Sequence, residues 1–426
     1  MKRDRIESRI EVLATSRAAR ILLSAVGGLL LLGIFYFSGI NTKLQFALHD
    51  TAVRIEARRF ENSMNSKLNR PDIRLIFVDQ YSLTWVQENL GFSWPWPREL
   101  YGLIVDFCSQ AKVQALDVLF SETSIYGPDD DRRLAQALEQ AGNVVLVATS
   151  QSGKLSAIPV DRPKVEFGTA RALVDPDGVI RRYDARSIVE ENDVLPSLGA
   201  AVLKEIGLNN SLTADAVYLK YLGASPGFES YNAAEILSAE FHRSDENKTV
   251  NSYSGTLSPE AFHNVIVFIG FSAPGLLDRQ TVPVDSAMPG VEIHATFVEN
   301  TLSGRLAYQM APFFSWLFIL LFGIIGAILP SVMRKTSLLV TGLFLLAPLV
   351  IICNALFFSA GVVAPGGTAL ALAFGSGLTG ILLAYLAEGK QRAFLRRSFS
   401  FYLAPEVIEQ LIKHPELLKL GGETRT

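Results

Sequence analysis

Four stretches of this chain carry no ionisable side chain: residues 21–41, 311–333, 336–368 and 369–387. A helix needs about 20 apolar residues to cross the hydrocarbon core of a bilayer, and each stretch meets or nearly meets that length. The run from 336 to 387 is long enough for two crossings, and Ser359-Ala-Gly-Val-Val-Ala-Pro-Gly-Gly367 supplies a turn at its middle. Four spans are therefore expected, at 21–40, 311–333, 336–358 and 365–387. Overall composition agrees, with 49% apolar and 19% charged residues, but the localisation of the apolar residues is the stronger signal.

The first stretch has the basic flank of a signal peptide, in Lys2, Arg3, Arg5, Arg9, Arg17 and Arg20. Its apolar run is too long, however, and no A-x-A-like site follows, so an uncleaved anchor is expected. Basic residues also set orientation, because they are retained on the cytoplasmic side. Arg334 and Lys335 lie between spans two and three, and Lys390, Arg392, Arg396 and Arg397 follow span four, whereas the 359–367 turn has none. Residues 1–20, 334–335 and 388–426 are thus expected inside and 41–310 outside. The last three spans hold no ionisable residue, which argues against a pump or an ion-coupled transporter. Gly367, Ala371, Gly375 and Thr379 form a small-residue stripe that permits close helix contact, within the chain or between protomers.

The net charge of −3 gives no footing for nucleic acid, and the two cysteines make no disulfide framework, since Cys353 falls in a span and Cys108 in the outer segment. Cys108 sits in an apolar helical stripe and reads as a small core residue.

Within 41–310 the pattern from 70 to 150 reads β-α-β-α-β. Strands are expected at 73–78, 113–120 and 143–148. Between them, one helix opens at Pro97 with Leu100, Leu103, Ile104 and Phe107 on its apolar face, and a second follows Asp129-Asp-Asp131. Further on, a strand is expected at 179–189, a helix at 198–206, a strand at 263–270 and a helix at 290–303. Strands alternating with helices imply an α/β domain with a mixed, partly parallel sheet flanked by helices. No Pro- or Ser-rich linker divides it.

Several motifs invite a functional reading. The acidic triplet at 129–131 suits a helix N-terminus at least as well as a cation. Asp175-Pro-Asp-Gly178 carries turn chemistry and lacks the remaining ligands of a calcium loop. Gly270-Phe-Ser-Ala-Pro-Gly275 follows a strand but has Pro274 where a nucleophile elbow needs glycine. The five histidines are scattered without ligand spacing, and His294 reads as a hydrogen-bonded, partly buried side chain. Neither a metal site nor a catalytic site follows from these residues. In open α/β sheets, ligands bind outside the carboxyl ends of the strands. Asp79, Trp94, Trp96, Arg98, Ser121, Ser272 and Asp278 are the candidate ligand-binding residues on that argument; a rigid structural rim is the competing reading.

The quoted segments resemble a known family. Val78-Asp-Gln-Tyr-Ser-Leu83, Trp94-Pro-Trp-Pro-Arg98, Ala115-Leu-Asp-Val-Leu-Phe-Ser-Glu122, Asp177-Gly-Val-Ile-Arg-Arg182, Val267-Phe-Ile-Gly-Phe-Ser-Ala-Pro-Gly-Leu-Leu-Asp278 and Pro289-Gly-Val-Glu-Ile-His-Ala295 are similar to the CHASE2 extracytoplasmic sensor domain, in the right order across nearly all of 41–305. Gln80 departs from it, where the family more often has an acid. The resemblance implies one span before the domain and three after it, and it carries no defined ligand.

CHASE2 domains precede histidine kinases, serine/threonine kinases and nucleotide cyclases. Phe401-Tyr-Leu-Ala-Pro-Glu-Val-Ile-Glu-Gln-Leu411 and His414-Pro-Glu-Leu-Leu-Lys-Leu-Gly-Gly-Glu423 resemble the lead-in to a class III adenylate/guanylate cyclase domain. In that family the first metal-binding Asp follows soon after Gly-Gly-Glu, and Thr426 is reached before it. The resemblance thus implies a bacterial cytoplasmic-membrane receptor, with a periplasmic or extracellular sensor domain and an unknown ligand outside. It also implies a homodimer, because class III active sites form between two catalytic domains, and Mg or Mn for a catalytic domain that these residues do not include. A kinase output and a non-catalytic membrane scaffold are the alternatives.

Overall fold

The computed structural model describes residues 17–62, 70–151, 154–157, 165–190, 193–208, 216–244, 257–276, 278–333 and 336–399. They fall into two compact units. One comprises 1–49, 310–354 and 364–426; the other comprises 50–309 and 355–363.

The first unit is helical. Helices α1 (Arg17–Phe37) and α2 (Ile40–Asn62) open the described chain, and α2 passes into the second unit at Asp50. Four helices are long and apolar enough to cross a membrane, with apolar segments at Arg17–Phe37, Pro312–Val332, Leu339–Ser359 and Gly366–Leu386. The small-residue stripe is used within the chain. Gly27 and Gly28 meet Thr379 and Ser376, so a Cβ at either would collide with the facing helix, and Gly375 lies close against Gly28 and Leu31. The polar ends are tied as well: Asn41 donates to Thr368 (3.1 Å), and Gln45 donates to the Ala364 carbonyl and accepts from the Gly367 N–H. The basic residues at 334–335 and 2–9 lie outside the described residues.

The second unit is built on a six-stranded, wholly parallel sheet. Its strands are β1 (Ile73–Val78), β2 (Val113–Leu116), β3 (Val144–Val147), β4 (Glu166–Gly168), β5 (Glu229–Asn232) and β6 (Ile266–Phe271), in the order β5-β1-β6-β2-β3-β4. Side chains alternate between faces along each strand, and the two hydrophobic cores follow that alternation. Leu75, Phe77, Val113, Ala115, Ile266 and Phe268 enter one core. Ile76, Val78, Leu116, Val267 and Ile269 enter the other.

Helices α3 (Gln80–Leu90), α4 (Arg98–Phe107), α5 (Pro128–Ala141) and α7 (Ala233–Ser244) contribute to the second core. Helices α6 (Leu198–Glu205) and α8 (Gly290–Leu302) contribute to the first. Small antiparallel pairs complete the unit, including the hairpin Arg279–Val282 with Asp285–Pro289. Sheet and helices therefore stack as three layers.

Local chemistry explains the sequence expectations that moved. Helix α3 was not foreseen. Asp79 leaves the strand in an extended conformation and caps the helix through the Ser82 N–H (2.7 Å), and Gly91 ends it in the left-handed region at φ 75°. The strand expected at 113–120 stops at Leu116, because 117–127 leaves the ladder as the rim described below. The strand expected at 179–189 is two, Ile180–Tyr183 and Arg186–Glu190, broken at Asp184, whose carboxylate accepts from the Arg186 N–H. The edge strands β4 and β5 are three and four residues long, too short to show a period.

Candidate functional site

The carboxyl ends of the strands carry two distinct constellations. The first is a cavity of about 370 Å³ whose lining includes Trp94, Trp96, Arg98, Tyr101, Phe120, Ser121 and Phe271. Its aromatic rings form a continuous series. Trp94 stands edge-on to Phe271 at 5.3 Å and near Trp96 at 6.2 Å. Trp96 lies 6.0 Å from Tyr101, which stands 5.2 Å from Phe120. Trp94 is partly exposed, at 41%, whereas Trp96 is buried, at 3%, and its indole Nε1 has no hydrogen-bond partner among the described residues.

Arg98 has less freedom than its place on the loop suggested. It is buried and paired with Asp131, it donates to the Glu122 carbonyl, and it lies over the Phe120 ring at 5.2 Å. Burial lowers its pKa, and the neighbouring Asp131 and Asp130 oppose that effect. The acidic triplet lies in the first turn of α5, as expected, and it serves a second helix as well. Asp130 accepts from the backbone N–H of Arg98 (2.9 Å) and of Glu99 (3.0 Å), so it caps α4 across space, while Asp131 accepts from Ser124 (3.1 Å). Removing Arg98 would leave Asp131 unpaired in the interior, so a variant there reports on folding as well as on binding.

The second constellation is buried and acidic. Asp117 follows β2, and Asp278 precedes the 279–289 hairpin. The Gly290 N–H donates to the Asp278 carbonyl (3.1 Å), and a Cβ at Gly290 would sit 2.6 Å from the Asp278 carboxylate, so only glycine admits this approach. Burial pushes Asp278 up to about 6. Burial, and then the charge of Asp278, hold Asp117 well above the usual carboxylate range.

His294 faces Asp117 through Nε2 at 3.9 Å, and its Nδ1 lies 2.5 Å from the Tyr183 hydroxyl, which accepts from the Gly199 N–H. A tyrosine that donates to Nδ1 fixes the Nε2–H tautomer. Burial lowers His294 to about 4, so it is neutral at pH 7.

Of the seven residues expected at the sheet rim, Trp94, Trp96, Arg98 and Ser121 share the cavity. Ser272 lines a separate depression with Phe77, Arg279 and Asp285, and its carbonyl accepts from Arg279. Asp278 belongs to the acidic constellation, and Asp79 is occupied by capping. Asp117 and Tyr183 were missed. Asp117 falls inside the strand expected at 113–120 and becomes a strand-end residue only because that strand stops at Leu116, and Tyr183 gives no signal, since its partners His294 and Gly199 lie 111 and 16 residues away in the chain. Among the described residues no group of three or more His, Cys, Asp or Glu side chains could hold a metal ion.

The chain thus joins a three-layer α/β domain, with a cavity at the carboxyl edge of its sheet, to helices long and apolar enough to cross a membrane. The chain belongs to the CHASE2 domain family, whose model matches residues 26–329. CHASE2 is an extracellular sensor domain of signalling proteins. No curated protein and no solved structure matched in the comparisons.

Proposed function

We propose that this chain is the receptor part of a homodimeric bacterial membrane protein that senses a stimulus outside the cell and regulates a class III adenylate or guanylate cyclase. The observation that carries the output is the resemblance of 401–423 to a cyclase lead-in, a segment outside the described residues. One feature of the fold supports it. Helix α9 (Gly366–Phe399) runs for 34 residues, about 50 Å at 1.5 Å per residue, and so continues past its apolar segment, which ends at Leu386. A span that continues unbroken into the segment before 401 can pass a shift or rotation to paired catalytic domains as a two-state element.

The test is to express the chain together with any coding sequence that follows Thr426, and to measure conversion of ATP and GTP with magnesium or manganese. Cyclic nucleotide is the expected product, and residues 1–426 alone should be inactive. A following kinase domain, or none with cyclase activity, would overturn the output.

The basic-residue pattern also supports four crossings with 41–310 outside. The structure guides the choice of probes. Val363 is buried in its pairing with Tyr308–Gln309, which makes it a poor reporter of the short outer turn. Ile125 and Ala360 are exposed. After replacement of Cys108 and Cys353, cysteines at 125 and 360 should react with an impermeant maleimide in intact cells whose outer membrane admits it. One at 390 should react only after lysis. Labelling at 390 with protection at 125 would reverse the topology.

A further inference from the structure

We propose that Asp117 and Asp278 form a proton-binding site, and that the stimulus read by the α/β unit is acidification outside the cell. The inference deepens the sensor reading by naming its stimulus, and it rests on that reading for its biological meaning.

Partnering sets these two carboxyl groups apart. Asp130, Asp131, Asp175, Glu240, Glu292 and Glu299 are buried too, and each is held by an arginine or by N–H and hydroxyl donors. Among the described residues, no arginine or lysine pairs with Asp117 or Asp278, and no hydrogen bond reaches either carboxyl group. His294 Nε2 stands 3.9 Å from Asp117, beyond hydrogen-bond range, and burial keeps that ring neutral. A carboxyl group out of water and without a donor favours its protonated form.

Position makes the proton exchangeable. Asp117 is buried, but Asp278 is only partly so and lies within reach of solvent. The Asp278 carboxylate packs on Gly290, the first residue of α8, where the helix dipole favours the charged form. Burial outweighs that effect, so Asp278 titrates at about 6.

The other ionisable groups around the site are committed elsewhere. Glu292 of α8 accepts from Ser225 and Gly227, Asp285 of the hairpin from the Ser225 and Ala287 N–H groups, and Asp79 after β1 from Ser82. Arg279 is exposed and donates to the Ser272 carbonyl, and the Tyr183 hydroxyl is bonded to His294. None supplies a counter-charge.

Asp117 opens the rim at 117–127, and Asp278 immediately precedes the 279–289 hairpin. An unpaired anion here draws water between the two segments, and a proton removes that demand, so both pack down in acid.

The test is hydrogen exchange by mass spectrometry on the full chain in nanodiscs, with a chelator present, between pH 4.5 and 8. Rates are corrected for intrinsic exchange, and labelling times are kept too short for β1 and β6 to exchange, so that global stability is not read. Amides in 117–127 and 279–289 should become about tenfold better protected on acidification, with a midpoint near 6. Asp278→Asn should shift this step, and the double variant Asp117→Asn with Asp278→Asn should abolish it and stay protected throughout.

Both changes are isosteric and remove charge from the interior, and circular dichroism would show that each variant is folded. Should the double variant not fold, the shift in Asp278→Asn decides. The proposal is overturned by the lack of a step in the wild type, or by a step that Asp278→Asn leaves unmoved. A step that survives the double variant belongs to a histidine and overturns it equally. No readout depends on a cyclase. Failure of the output reading therefore leaves this result standing, and failure here leaves that reading untouched.

Discussion

Arg181→Ala is expected to destabilise the α/β unit by about 3–5 kcal/mol, the range for breaking a buried charge pair by removing one partner. Arg181 is fully buried, at 1% exposure, and three carboxylates converge on it. Nε and one terminal nitrogen donate to Asp50 in α2 (2.6 and 2.9 Å). The two terminal nitrogens also reach Asp177 (2.8 and 2.7 Å), and one reaches Asp175 (3.0 Å). Burial alone would lower the guanidinium's pKa, but the hydrogen bonds to Asp177, Asp50 and Asp175 outweigh it and raise it above its ordinary range. The bond from Arg181 in turn lowers Asp177.

Without Arg181, Asp175 keeps only the more exposed Arg182, and Asp50 loses a bidentate partner. Arg181→Lys should recover little, because a point charge cannot serve three carboxylates in the plane of a fork. Urea unfolding followed by tryptophan fluorescence reads the effect. A loss below about 1 kcal/mol, the scale of a surface pair, would show that this node does not hold α2 to the turn at 175–178.

The second large effect is a pH-dependent gain. Asp278 is raised to about 6 in the folded protein from an ordinary value of 3.8. The folded state therefore holds a proton that the unfolded state has lost between those values, and stability falls as pH rises through that window. Ionised Asp278 is destabilising above about pH 6 and neutral in effect below about pH 4. Two pH units correspond to about 3 kcal/mol, reduced by partial solvent contact to about 2. Asp278→Asn should thus stabilise the unit by about 2 kcal/mol at pH 7.5, and the difference from wild type should disappear near pH 4.

His294 works in the opposite sense, because its folded value is depressed to about 4. Its contribution is lost as pH falls below its unfolded value of about 6.5. It is common to both proteins, so it cancels in the comparison of Asp278→Asn with wild type, which reads Asp278 together with its effect on Asp117. A pH-independent difference, or a loss at pH 7.5, would refute the assignment. A buried carboxyl group with a raised pKa is a functional-site candidate, which makes the acidic constellation a second place to look for effects on signalling.

The residue pattern alone determined that four segments form helices long and apolar enough to cross a membrane, and it determined the class of the domain between the first and second. Each of these is set by properties additive along the chain. Twenty apolar residues suffice to name a span wherever it packs, and the apolar runs at 73–78 and 266–271 report buried parallel strands because both their faces are covered. The rim was legible in part, since Trp94, Trp96, Arg98 and Ser121 lie at strand ends in an α/β pattern.

Tertiary structure alone decided what these residues do there. The sequence leaves Arg98 between ligand binding and a rigid structural rim, and the second reading gains because α5 delivers Asp130 and Asp131 to it. Trp96 becomes an orphaned donor only once the surrounding rings have closed over it. Arg181 meets Asp50 across 131 positions of chain, and Tyr183 meets His294 across 111. No local period encodes such pairs. They exist because burial excludes water from groups that must then find partners, and which partners they find is settled by the packing of the sheet and its two helical layers.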